Sequence, residues 1–195
     1  MKDLRLLNFA LALAFTFLTA QAQSVVSAGD TPPSYDLKPQ ALQDLKTLQK
    51  QFADLADAVP AEKFTWRPGD GVRSFSEVFL FVASLNFSLA PNFGAAPVTG
   101  FTQKGFEKST TDKAKIITQI NQSFEYVRAA LEKRSNKQLQ TIVKQFGPDA
   151  SEGDIVFLIV TDAHEHLGQA VGYARMNGIV PPWTAARLKK QSQAK

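Results

Sequence analysis

Apolar residues fall three and four apart along four separate stretches of this chain, the spacing that collects them on one face of a helix. The first stretch starts at Gln40 and carries Leu42, Leu45, Leu48, Phe52 and Leu55, with Gln, Lys and Asp between them. Val59-Pro60 ends it, because the residue before a proline is pushed away from α geometry. The second opens at Ser74, whose hydroxyl can cap the helix with Glu77 three residues on as its capping-box partner, and lines up Val78, Phe81, Val82, Leu85 and Leu89. Pro91 marks where it stops. Between Asn92 and Gly105 the density of Gly, Pro and Phe predicts a long loop, a lid or a rim. The third stretch runs from about Thr111 to Lys133 and buries Ile116, Ile117, Ile120, Phe124, Val127 and Leu131. Leu139 to Phe146 alternates only in part and reads as an extended excursion or a short helix, broken by Gly147-Pro148-Asp149. The last helix begins near Ser151, sets Ile155, Leu158, Ile159, Asp162, His166, Gln169 or Ala170, and Tyr173 on one face, and stops at Gly178. Four long amphipathic helices joined by loops predict an all-α fold, a four-helix bundle.

Ahead of the bundle the pattern changes. Lys2 and Arg5 precede an apolar run from Leu6 to Leu18, and Ala20-Gln21-Ala22 follows, the order of a secretory signal peptide over residues 1–22. The run is shorter than the ~20 residues that a spanning helix needs. The expectation is therefore export to the periplasm or the outside, with no stable membrane insertion after cleavage. Residues 23–39, rich in Ser, Gly, Asp and Pro, read as a flexible linker, residues 40–185 as the bundle domain and 186–195 as a basic polar tail. The chain has no cysteine, which removes a lipoprotein anchor, thiolate nucleophiles and thiolate metal ligands, and leaves stability to the core. A net charge of +4 on 195 residues is too mild to argue for nucleic acid as a partner. Phosphate-binding glycine loops and nucleophile elbows are absent as well.

Both histidines lie in one string, Asp162-Ala163-His164-Glu165-His166-Leu167-Gly168-Gln169, so imidazole chemistry starts there. Asp162 and His166 are four apart and share a helix face, whereas His164 sits about 200° round from Asp162 and is expected, with Glu165, to face solvent. A carboxylate turned into a bundle is costly unless paired or metal-bound, so Asp162 is a partner of His166, faces a water-filled cleft, or is half of a two-ligand metal site. Glu77 lies near the face of Phe81, with capping as its preferred use, and Asn86 is about 140° round from Phe81, a poor ligand position. Trp66 and Trp183 read as closing the ends of the core. Phe75, Phe79, Phe81, Phe87 and Phe93 crowd the second helix beyond what one inner face needs, so some are expected to face a pocket or a partner.

The run from His164 to Gln169, followed by Tyr173-Ala174-Arg175-Met176-Asn177-Gly178 and Pro181-Pro182-Trp183, resembles the last bundle helix of DinB-like proteins, the superfamily shared with the YfiT-type metal enzymes. Trp66-Arg67-Pro68-Gly69-Asp70-Gly71-Val72-Arg73-Ser74, leading into a helix with Glu77 and Asn86, resembles the segment that opens that family's second helix. The resemblance runs from roughly Leu37 to Trp183 and implies a DinB-like four-helix bundle. The family's metal is held by three histidines, one from the second helix and two, four apart, from the last. By position these fall on Phe81, Asp162 and His166, and Phe81 has no lone pair to give. The ligands implied here are thus Asp162 and His166, with one divalent metal, Zn, Ni or Mn, weakly bound or absent. The implied function is an exported, divergent metal-dependent enzyme of hydrolase or thiol-transferase type with an incomplete metal site. Its alternative is a non-catalytic module on the same bundle that binds a small molecule or another protein. A small molecule of unknown identity and a second copy of the chain are the partners this implies.

Overall fold

A computed structural model of the protein describes residues 36–144 and 150–194. The signal-peptide pattern, most of the linker and the Gly147-Pro148-Asp149 break lie outside them. Five α-helices follow in order: α1 (Leu37–Ala58), α2 (Phe75–Leu89), α3 (Lys113–Glu132), α4 (Glu152–Met176) and α5 (Pro182–Gln193). The first four form the bundle, with α1 packing on α3 and α4, and α2 packing on the same two. None of the described helices is long and apolar enough to cross a membrane.

The helix starts follow from side chains that satisfy the free N–H groups of a first turn. α1 begins at Leu37, ahead of the predicted Gln40, because Asp36 accepts from the Lys38 N–H at 3.2 Å. Pro39, which reads as linker, is tolerated in a first turn where its missing N–H has no intrahelical partner to lose. The Lys38 ammonium then donates to the carbonyls of Glu132 and Arg134 at 2.9 and 2.6 Å, closing the end of α3. The capping box predicted for α2 is present: Ser74 N–H donates to Glu77 Oε2 at 2.7 Å, and Glu77 N–H to Ser74 Oγ at 3.4 Å. Ser151 and Asp154 form a second such box at α4. The end of α4 is as expected, with Gly178 in the left-handed region at φ 71°.

At the centre of the core, Phe52 of α1 is fully buried between Phe79 of α2 and Phe124 of α3, each with its ring centroid 5.7 Å away. Leu139 lies in a 3-10 turn (Gln138–Gln140), after which the chain is extended: Val143 N–H donates to the Ala150 carbonyl and Glu152 N–H to the Thr141 carbonyl. Residues 186–193 of the stretch read as a basic polar tail lie in α5, which Pro182 opens and which packs against α1. Its apolar face is reduced to Trp183 and Leu188, too little for a periodic signal.

Two features tie the connections down. The Arg134 guanidinium grips Glu152, the first residue of α4, with Nε donating to Oε2 at 2.8 Å and a second nitrogen meeting Oε1. Gly94, at φ 95° after α2, makes room for that guanidinium, since a Cβ there would stand 3.1 Å from it.

Leu158 is a correction. The buried face of α4 centres on Val156, Ala163, Leu167 and Ala174, which places Asp162 and His166 at its margin and Leu158 beyond it, 41% exposed beside Phe157. A margin is where a helix can carry polar groups without forcing them into the core.

Candidate functional site

α2 and α4 bring Phe81, Asp162 and His166 together. The Phe81 ring meets the His166 imidazole edge-on, 4.8 Å between centroids and 72° between planes. On its own helix His166 turns Nε2 toward Asp162 Oδ1 at 3.5 Å, an ion-pair distance longer than a good hydrogen bond. Its Nδ1 lies 2.9 Å from Gln169 Oε1, and Gln169 Nε2 donates to the Tyr173 hydroxyl at 2.9 Å. Asp162, His166, Gln169 and Tyr173 therefore form one polar line along the margin of α4. The Tyr173 ring is fixed in turn by Trp66 and Phe75, with centroids 5.4 and 5.5 Å away in edge-to-face geometry, so Trp66 closes this end of the core.

Arg73 completes the site. Its guanidinium carbon stands 3.8 Å over the centre of the Phe81 ring, and its Nε donates to Glu107 Oε2 at 2.8 Å, from a turn in the loop between α2 and α3. Phe81 is thus enclosed between a guanidinium and an imidazole. The residue just before the Ser74 cap is the position from which a side chain reaches back over the first turns of α2, and that was the one signal for Arg73 in the sequence.

The other candidates go elsewhere. Glu77 is committed to the capping box and to Arg67 at 3.2 Å; burial pushes its carboxyl up, but the Ser74 N–H and Arg67 outweigh that and hold it below its ordinary value. Asn86 donates to Ser123 Oγ inside the core at 3.1 Å, and His164 and Glu165 are exposed.

Asp162 raises the pKa of His166 by favouring the imidazolium; burial opposes it, Gln169 adds to it and Arg73 opposes it, with a net rise. A raised folded-state value means that the stability tied to this proton is fully present below the free-histidine pKa of ~6.5 and is lost as pH climbs through the folded value. The melting temperature of the wild type is therefore expected to fall, as pH rises above about 6.5, more steeply than that of His166→Gln. Thermal denaturation across that range checks this, and parallel curves for the two proteins would remove His166 as the cause.

Asp162 Oδ2 is buried with no hydrogen-bond partner. Beside it, the donor set falls one ligand short of a three-ligand metal centre. Asp162 and His166 offer an oxygen and a nitrogen, the third position holds a phenyl ring, and a guanidinium rests on that ring where it would repel an incoming cation. Among the described residues no group of three or more His, Cys, Asp or Glu side chains is placed to hold a metal ion.

A family model described as the DinB superfamily matches residues 44–170, a span that includes Arg73, Phe81, Asp162, His166 and Gln169. The crystal structure of a conserved protein from Enterococcus faecalis matches the fold with a TM-score of 0.57 at 15% identity, covering 73% of this chain and 97% of that one. At that identity the likeness speaks for the fold alone. No curated protein matches the chain.

Proposed function

Since the chain belongs to the DinB superfamily, we propose that it is an exported member of it that binds a small molecule directly where α2 meets α4, through Asp162, His166 and Arg73. Of the two readings of the sequence, this is the non-catalytic binding module. The observation that carries it is the unpartnered Asp162 Oδ2. A buried acceptor without a donor costs about 1–3 kcal/mol, which a ligand N–H or O–H group would offset on binding. His166 next to it offers a proton, and Arg73 offers positive charge at the rim.

The metal-enzyme reading keeps the same two ligands and differs in what it expects of them. Asp162→Leu separates the two. In the binding module this substitution removes an unsatisfied oxygen while His166 can become neutral, so stability above the His166 titration is expected to stay level or rise by about 1 kcal/mol, and the stability tied to the His166 proton at lower pH is expected to be lost. Zn, Ni, Mn or Co is then expected to leave the melting temperature of wild type and variant alike unchanged. Elemental analysis of untagged protein and a thermal-shift series with those four metals decide between the readings. Stoichiometric metal in the wild type, with a stabilisation that Asp162→Leu abolishes, would return the metal-dependent enzyme.

A further inference from the structure

A concave site lies between α2, α3 and the loop that joins them, and shares no residue with the group around His166. Its volume is about 490 Å³, within the ~300–1,000 Å³ range of small-ligand sites. One wall is aromatic. Phe87 of α2 meets Phe101 and Phe106 of the loop at centroid distances of 5.5 and 6.0 Å, and those two rings stand 5.2 Å from each other. The lining also includes the polar side chains of Gln119 and Gln122 of α3 and Lys104 of the loop. Lys104 forms no ion pair among the described residues.

The loop is held at both ends, which makes the cavity a preformed one. At its start the Tyr126 hydroxyl of α3 donates to the Ala96 carbonyl at 2.6 Å, with the Tyr126 ring 5.7 Å from Phe87. At its far end Glu107 is fixed by Arg73. Between them the chain turns at Gly105, whose φ of 82° is in the left-handed region that favours glycine, and this turn delivers Phe106 to the aromatic wall. The polar side continues into an adjoining cavity of about 400 Å³, which shares Ser109 and Gln119 and adds Lys115.

We propose that this cavity is a binding site for a small aromatic carboxylate. The ring would lie against Phe101 and Phe106, its polar substituents would meet the side-chain amides of Gln119 and Gln122, and its carboxylate would face Lys104. Aromatic walls prefer flat apolar rings, the primary amides both donate and accept, and the lysine is the charge left to be matched. The assignment stands on this cavity alone and does not depend on what the His166 cleft binds.

The probe is 4-hydroxybenzoate, with 4-hydroxybenzyl alcohol as its uncharged counterpart, titrated into the mature chain and followed by NMR at the Gln119 and Gln122 side-chain amides. Saturable shifts at those amides are expected with the acid, and weaker ones with the alcohol. Lys104→Gln is expected to weaken the acid by about two- to fivefold, the effect of an exposed ion pair, and to leave the alcohol unchanged. Phe101→Leu, which keeps apolar volume and removes the ring, is expected to weaken both. No saturable shift up to about 10 mM, where even weak millimolar binding would be visible, overturns the proposal. So do shifts that map to His166 and Gln169 instead. Equal binding of acid and alcohol, unaffected by Lys104→Gln, overturns the carboxylate class.

Discussion

Phe81→His is expected to bind a divalent metal at least about tenfold more tightly than the wild type, a difference of ~1.4 kcal/mol or more. The Phe81 ring already touches the His166 imidazole, 4.8 Å between centroids, and His166 already faces Asp162. An imidazole in place of the phenyl ring would complete a set of two nitrogens and one oxygen with positions left for water, a donor set that suits first-row divalent metals. The gain has a limit set by Arg73, whose guanidinium would stay near the new ligand and repel the ion. Arg73→Gln added to Phe81→His is therefore expected to increase the affinity further. The apo form should be less stable by roughly 1–3 kcal/mol, from lost aromatic burial and the lost guanidinium–ring contact. Calorimetric titration of untagged proteins with Zn and Ni measures the affinities. A folded Phe81→His protein with wild-type affinity would mean that position 81 does not point at Asp162 and His166 in solution.

The second large effect is expected far from the cleft. Arg134→Met should destabilise the protein by about 3–5 kcal/mol, because removing one partner of a buried ion pair leaves the other charge uncompensated. The Glu152 side chain is 4% exposed and the Arg134 side chain 23%, so Glu152 is the charge that would be stranded. Its position as the first residue of α4 softens the loss, since a helix N-terminus favours negative charge, and the lower part of that range is the expected result. Arg134→Met with Glu152→Met should recover most of the stability, as apolar pairs often replace buried ion pairs without cost. Urea denaturation of the two variants gives both numbers. A loss under about 1 kcal/mol for the single variant would show that water reaches Glu152 in solution.

The helical bundle was legible because its signals are local. Heptad-like spacing of Leu45, Leu48, Phe52 and Leu55, and the Ser74–Glu77 capping box, depend only on neighbours in the chain, and both appear in the structure as the sequence predicts. The pairing of Asp162 with His166 was legible for the same reason, one helical turn being enough to place them together. What could not be read depends on the third dimension. Leu158 belongs to the predicted face by spacing, but the neighbours that α4 meets set its buried face further round the helix. Arg73 and Glu107 lie far apart in sequence and meet only because the loop after α2 returns along that helix. The line from His166 through Gln169 to Tyr173 has helical spacing that reads equally well as core packing, and only the hydrogen-bond geometry tells the two apart. α5 escaped because a short helix with two large apolar residues carries too little periodicity to stand out from a polar tail.

The short 3-10 turn Phe106–Lys108 sends consecutive side chains to separate destinations, Phe106 to the aromatic cluster and Glu107 to Arg73 over the cleft. Successive residues of such a turn are about 120° apart, so neither can be re-aimed without carrying the other along. Tolerance to insertions should therefore be uneven along this loop. Extra residues at Thr99 and Gly100, where the chain is exposed ahead of Phe101, can bulge outward and leave both contacts in register. One residue added after Gly105 would swing Phe106 or Glu107 out of place, so relatives with longer loops are expected to carry the added length upstream of that glycine.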